Sequence, residues 1–352
     1  MSDCFGERTD PAKRALQMSA KDNLLRVIRH DHPQWVPEGM ESVIFISPPL
    51  VTRPRFAGLD AWNVAWEDSH TDTGTYPRQG EHVITDVRAW HRQMRLPDVS
   101  SLDWSKFPAG WGGHNPPVAI HEIERREHLL CGVVELSLFE RSYLLMGMEQ
   151  ALISYMTDTD AVDALLEAIT DFNIGLIRRF DDEVHLDMIW YGDDWGTQRG
   201  LFIPPAIWRR TIGRHTRRVY ACMKERGIII NQHSCGKIDS VLEDIVKMGA
   251  DMWNPCQPCN DLAEMKRRFG GRITFCGGID SQFVLDRPGV TPEEVRAEVR
   301  KRIDMLAAGG GYIAEPSHAV PYRREIMEAM RDEISTYGKT YYSRATVGRK
   351  SQ

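Results

Sequence analysis

From Ala20 to His30 (AKDNLLRVIRH) apolar residues recur at Leu24, Leu25, Val27 and Ile28, the spacing of one face of a helix. The run SVIFIS (Ser42 to Ser47) follows and stops at Pro48-Pro49, which predicts a buried strand. Between Val51 and about His128 the order weakens. Trp, Gly, Pro and charged residues dominate there and predict loops and short elements forming a cap or substrate-binding excursion. After His128 the rhythm becomes regular. Strand-length apolar runs stand at Leu129 to Leu138, Met188 to Tyr191, Ile228 to Gln232, Met252 to Asn254, Ile273 to Cys276 and Tyr312 to Ala314. Helix-length amphipathic segments separate them at roughly 148–180, 204–226, 238–248, 261–269 and 292–308, and a last helix is expected over 323–337. Alternation of this kind predicts a parallel sheet covered by helices. With the N-terminal strand, and one more hidden in the irregular stretch, the count approaches eight. The first expectation is therefore an α/β fold of (β/α)8 TIM-barrel type, and the second an open doubly wound sheet. Residues 1–19, polar and aperiodic, read as a flexible N-terminal arm. Residues 20–345 read as a single barrel domain, with 51–128 as an irregular cap within it.

Composition narrows the function without naming it. The chain has 352 residues, 42% of them hydrophobic and 27% charged, which suits a soluble enzyme and is too apolar for disorder. Lys and Arg total 44 against 50 Asp and Glu, a net charge of −6, which excludes the basic surface of a nucleic-acid binder. No stretch of about 18 apolar residues is present, so no membrane span is expected. The N-terminal residues lack the apolar core of a signal peptide, so a cytoplasmic location is expected. The seven cysteines are then thiols, metal ligands or packing residues rather than a disulfide framework. No G-x-G-x-x-G follows a strand; Gly309-Gly310-Gly311 precedes one and reads as a turn.

Reactive side chains fall where a barrel keeps its chemistry, at the C-terminal ends of strands. Asp193-Asp194 follow Trp190-Tyr191, and His233-Ser234-Cys235-Gly236 follow Ile228 to Gln232. Asn254, Cys256 and Gln257 follow Met252-Trp253, Asp280 follows Phe275 to Ile279, and Glu315, Ser317 and His318 follow Tyr312 to Ala314. His233 and Cys235 form an H-x-C pair whose side chains can point the same way from a strand end; imidazole nitrogen with thiolate sulfur selects zinc among common ions. A third ligand from another strand end would complete a catalytic site. His318, Cys256 and Cys259 are the candidates, and His318, at the end of the last strand, is preferred. The C-x-x-C spacing of Cys256 and Cys259 is interrupted by prolines and favours packing. Asp194 and Asp193 are the candidate acid/base carboxylates, although two adjacent acids also cap helices or pair with arginine. Gln198, Asn254, Gln257, Asp280 and Glu315 are expected to line the substrate pocket. Of ten tryptophans, Trp62, Trp66, Trp90, Trp104 and Trp111 lie in the irregular region, where most are expected to pack the core or cap, while aromatic walls there would suit a flat or methylated substrate.

These stretches resemble the uroporphyrinogen decarboxylase superfamily of TIM barrels, which also contains zinc-dependent methyltransferases acting with corrinoid proteins or coenzyme M. The resemblance runs from about Ala20 to Tyr337. It is carried by YGDDWGTQRGLFIPPAIWR (191–209), GIIINQHSCGK (227–237), GADMWNPCQP (249–258), GGRITFCGGIDSQ (270–282) and GGGYIAEPSHAVP (309–321). The decarboxylase branch binds its acidic tetrapyrrole through an arginine-rich loop after the first strand region. The equivalent stretch here, Val36-Pro37-Glu38-Gly39-Met40-Glu41-Ser42, has no arginine and two glutamates. The methyltransferase branch holds zinc by an H-x-C pair, matched by His233 and Cys235, and by a later ligand; that ligand is cysteine in the coenzyme M enzymes, and His318 stands in its neighbourhood here. The resemblance thus implies a zinc-dependent methyltransferase in a cobalamin-linked demethylation system. It would move a methyl group between a small methylated substrate and a corrinoid protein, with no nucleic-acid or membrane partner and a homodimer as one assembly open to it. A metal-free decarboxylase using Asp194 and His318 is the alternative, and a barrel that binds such ligands without chemistry ranks last.

Overall fold

The structure is a computed structural model, and it describes residues 18–69, 74–104, 120–318 and 321–350, with side chains to 344. Most of the expected N-terminal arm, and Trp111, lie outside the described residues. Seven parallel strands form the main sheet: β1 (Val43–Ile46), then β5 (Leu129–Val134), β6 (Met188–Gly192), β7 (Ile229–His233), β8 (Met252–Asn254), β9 (Thr274–Ile279) and β10 (Tyr312–Pro316). They pair in that order. The edges meet at a parallel bridge between Glu38 and Ala314: the Gly39 N–H donates to the Ala314 carbonyl at 2.9 Å, and the Ala314 N–H to the Pro37 carbonyl at 3.0 Å. The fold is TIM-barrel-like, with helices on the outside. No helix among the described residues is long and apolar enough to cross a membrane.

The strand expected to hide between Val51 and His128 is not part of this sheet. That stretch instead holds a small antiparallel sheet of β2 (Gly58–Leu59), β3 (Ala65–Asp68) and β4 (Thr75–Pro77), with short helical turns. Buried contacts fix it to the barrel. The Trp62 indole N–H donates to the Leu50 carbonyl at 2.7 Å. Asp60 accepts from the Trp66 indole at 3.2 Å and pairs with Arg141 at 3.0 Å, and the Arg141 guanidinium lies over the Trp62 ring at 4.7 Å. Trp62, Trp66 and Trp104 are buried packing residues rather than exposed pocket walls.

The single helix expected over 148–180 is two, Met148–Thr157 and Thr159–Val184, parted at Asp158, whose φ and ψ leave the helical region; a further helix, Leu138–Met146, precedes them and ends at Gly147 (φ 83°). The strand expected to reach Leu138 stops at Val134, because Leu136 turns the chain with positive φ and Leu138 opens the next helix. The helix Ala20–Ile28 forms as its spacing predicts, capped by the Ser19 hydroxyl on the Asp22 N–H. Its Leu24, Val27 and Ile28 join Val43, Leu129, Cys131, Val133, Met188, Trp190, Met252, Cys276 and Ile313 in an inner core separate from the larger core between sheet and outer helices. Alternation along each strand produces this division, since successive side chains point to opposite faces.

Candidate functional site

Two loops build the site. The loop after β6 (193–203) and the loop after β7 (234–238) are laced together: the Trp195 N–H donates to Ser234 Oγ at 3.0 Å, and the Lys237 N–H to the Thr197 carbonyl at 2.7 Å. The closest approach is Gly196 against Gly236. A Cβ on Gly236 would stand 2.2 Å from the Gly196 carbonyl carbon, and its φ of +84° disfavours any side chain. Glycine is therefore required for the loops to meet, and their meeting carries Asp194 to His233 and Cys235.

The three donor groups lie within 4.8 Å of one another. His233 Nε2 is 3.6 Å from Cys235 Sγ and 3.5 Å from Asp194 Oδ1, and the Cys235 N–H holds that same oxygen at 2.7 Å. His233 Nδ1 faces Asn254 Oδ1 at 2.8 Å. The Trp190 indole N–H also reaches Asn254 Oδ1, at 3.3 Å. An indole N–H can only donate, so this end of the amide is the oxygen. His233 Nδ1 then carries the proton, and Nε2 keeps its lone pair on the side of Asp194 and Cys235. Trp190 also covers the imidazole, ring centroids 4.2 Å apart. It can lie there because Gly192 has no side chain; a Cβ would come within 2.5 Å of the indole.

One nitrogen, one sulfur and one carboxylate oxygen converging at a strand end form a donor set suited to zinc with a fourth position left for substrate. The charges around it agree. Burial, and then the Asp194 carboxylate, push the Cys235 thiol above its ordinary value, a balance that a bound dication reverses. Glu140 stands nearby on the helix Leu138–Met146. Burial raises its carboxyl well above the usual range, and Asp194, Asp193 and Glu135 add to the rise, while Tyr143 donates to it at 3.1 Å. The sequence reading missed Glu140 because it sits inside an apolar helix start; its contact with a doubled Asp on another strand was the signal to seek.

The other expected site residues separate into distinct places. Asp193 is fully buried and accepts the N–H groups of Phe139 (3.1 Å) and Glu140 (2.9 Å) and the Trp195 indole (2.6 Å), so it caps the helix from the end of the neighbouring strand. Burial raises its carboxyl to about 7. His318, expected as the third ligand, is not in the trio. Its Nε2 meets Gln257 Nε2 at 2.7 Å, while Gln257 Oε1 accepts the Gly236 N–H at 2.6 Å, so the amide stands between His318 and the metal-facing loop. The third donor beside His233 and Cys235 in the structure is Asp194. Asp280 caps the turn at Phe283, and Gln198 is exposed at a loop tip. Asn254 and Glu315 bond to each other, at 2.5 Å. Cys256 is buried, its thiol raised by burial, and Cys259 is half-buried. A cavity of about 590 Å³ opens between the small sheet and the helices at 138–148, with Glu67, Asp68, Tyr76, His82, Tyr143 and Met148 in its walls. It meets the trio's surroundings through Tyr143, whose hydroxyl bonds Glu140.

No curated protein matches the chain in sequence. Among solved structures, a methyltransferase from Methanosarcina mazei shares the fold: TM-score 0.61 over 91% of this chain and 99% of that one, at 14% identity. A sugar phosphate isomerase/epimerase from Parabacteroides distasonis matches with a TM-score of 0.32 over 60% of this chain and 71% of its own, at 12% identity. The family model described as uroporphyrinogen decarboxylase (URO-D) matches residues 128–336. That span is more than half of the chain and contains Asp194, His233 and Cys235, so this chain belongs to the uroporphyrinogen decarboxylase family.

Proposed function

We propose that the protein is a methyltransferase that moves a methyl group between a small methylated substrate and a corrinoid protein, with zinc held by Asp194, His233 and Cys235. The observation that carries this reading is the convergence of those three donors, with His233 Nδ1 on Asn254 Oδ1 and Nε2 facing Asp194 and Cys235. A carboxylate and a thiolate balance the charge of the dication, where the set expected from sequence, one thiolate and two imidazoles, would leave it positive. When bound, the metal supplies a Lewis acid for the heteroatom from which the methyl departs. The chain's own residues do the rest. Trp190 and Asn254 hold the imidazole, the Cys235 N–H holds the Asp194 carboxylate, and the buried Glu140 carboxyl keeps a proton beside Asp194 that can be returned to the leaving group.

The family match also favours a second reading, a metal-free decarboxylation of uroporphyrinogen with Asp194 and His318 handling protons. Electrostatics weigh against it. Asp194 and Glu135 lie beside the buried Glu140, where a polycarboxylate substrate needs cations. Metal analysis of the purified protein tests the choice. The expected result is zinc in the wild type and its loss in a His233→Ala/Cys235→Ala double variant, together with methylcobalamin formed from cob(I)alamin and one of a panel of methoxy, methylthio and methylamino compounds. A wild type without zinc, or zinc fully kept by the double variant, overturns the reading, and turnover of uroporphyrinogen to coproporphyrinogen installs the second.

A further inference from the structure

Five neighbouring strands, β6 to β10, each contribute one side chain to a connected layer at the upper end of the inner core: Trp190, His233, Asn254, Cys276 and Glu315. Asn254 is its hub. Its Oδ1 takes the Trp190 indole N–H at 3.3 Å and faces His233 Nδ1 at 2.8 Å. Its Nδ2 donates to Glu315 Oε1 at 2.5 Å and lies 3.4 Å from Cys276 Sγ. The Cys276 thiol donates to the same Glu315 oxygen at 3.0 Å. Glu315 is half-buried, and among the described residues no cation is paired with it. Its two donors are neutral.

We infer that Glu315 is a positioning residue: acting through Asn254, it fixes the tautomer and aim of His233. An amide can turn over, exchanging its oxygen and nitrogen, at little cost in shape. Turned over, Asn254 would present N–H groups to His233 Nδ1. The ring would then accept at Nδ1 and carry its proton on Nε2, the atom that faces Asp194 and Cys235, and a protonated nitrogen cannot ligate. The indole of Trp190 opposes the flip with one long hydrogen bond. Glu315 opposes it more strongly, because a carboxylate oxygen can only accept and so suits only the nitrogen end, and the flipped amide would set oxygen against oxygen. Its influence thus reaches the candidate ligand across two hydrogen bonds, as partners behind a metal-binding histidine do. The consequence for metal binding rests on the proposed function; the tautomer itself does not.

Two measurements separate these. In metal-free protein, ¹⁵N NMR of the His233 ring is expected to show the Nδ1–H tautomer in wild type, a shift toward Nε2–H in Glu315→Ala, and recovery in Glu315→Gln, whose carbonyl can still accept from Asn254. Chelator competition is expected to show zinc affinity lowered about 10–100-fold in Glu315→Ala and close to wild type in Glu315→Gln. Asn254→Ala should lose as much as Glu315→Ala, with the double variant no worse than either; this series also carries the test should Glu315→Ala fail to fold. An unchanged tautomer and affinity in Glu315→Ala, equal damage in Glu315→Gln, or additive losses in the double variant would overturn the inference. A wild type that takes up no zinc would remove the proposed function, and the tautomer comparison would still decide the role of Glu315.

Discussion

The two ends of the barrel interior are built on the same strands and serve opposite ends. At the N-terminal end the inward residues are Val43, Leu129, Met188, Met252 and Ile313, and the helix Ala20–Ile28 seals them with Leu24, Val27 and Ile28. At the other end, two residues further along, the inward positions of β6 to β10 hold Trp190, His233, Asn254, Cys276 and Glu315. The lower layer is stabilised by apolar burial, which is indifferent to direction. The upper layer is stabilised by hydrogen bonds that must each find a donor and an acceptor in a poorly solvated place, which makes it costly to leave incomplete. One end therefore holds the barrel in register, and the other uses that register to aim polar atoms within a few tenths of an ångström.

Substitutions at the two ends should separate stability from metal binding. Leu24→Ala removes a fully buried side chain from the seal. We expect a loss of about 2–5 kcal/mol in urea unfolding with zinc affinity unchanged in the folded protein. A parallel loss of affinity would show that the ends are not independent. Gly236→Ala acts at the upper end: its methyl would press on the Gly196 backbone at a φ of +84°. The expected cost is about 1–3 kcal/mol of stability, and here zinc affinity falls with it, because the loops that bring Asp194 to Cys235 part. A variant that binds zinc as wild type does would show that the glycine contact does not set the trio.

The same contrast explains what the sequence disclosed. The strand–helix alternation and the H-x-C pair are local patterns, so β6 to β10, His233 and Cys235 could be read directly. Asp194 was legible as a reactive carboxylate but not as a neighbour of the pair, because that contact depends on Gly196 meeting Gly236 across two loops. His318 was a reasonable third donor by strand order; the intervening Gln257 amide is a tertiary detail with no spacing signal. Counting inward positions by twos along each strand would have found Trp190 and Cys276, which a reading confined to residues after the strand passes over, and would have set Glu315, read there as a pocket residue, in the same layer. β9 and β10 in fact run on through Gly278 and Glu315. The excursion after Val51 stayed opaque since it is held by the Asp60–Arg141 pair and by tryptophan contacts far apart in the chain.

The smallest effect sits at the sealed end and depends on pH. Lys266 lies largely buried there, its Nζ donating to the Gly310 carbonyl at 2.6 Å and standing 5.6 Å from the Phe275 ring centre. Burial lowers its pKa from 10.5 to about 8. Burial, and then the Lys266 charge, also lower that of His30 beside it. An amine lowered in this way binds fewer protons in the folded chain than in the unfolded one between those two values. Its contribution to stability is complete above the unfolded value and is lost as pH falls toward about 8. Within that window, raising the pH should favour the folded state by at most about 1.4 kcal/mol per unit from this group. Lys266→Met removes the titration while keeping an apolar stem against Phe275. In urea unfolding followed from about pH 7 to 10, the wild type should therefore gain on the variant as pH rises. A difference that stays flat across the window would mean that the ammonium is as well solvated folded as unfolded, and that the lower end is not the dry seal its packing implies.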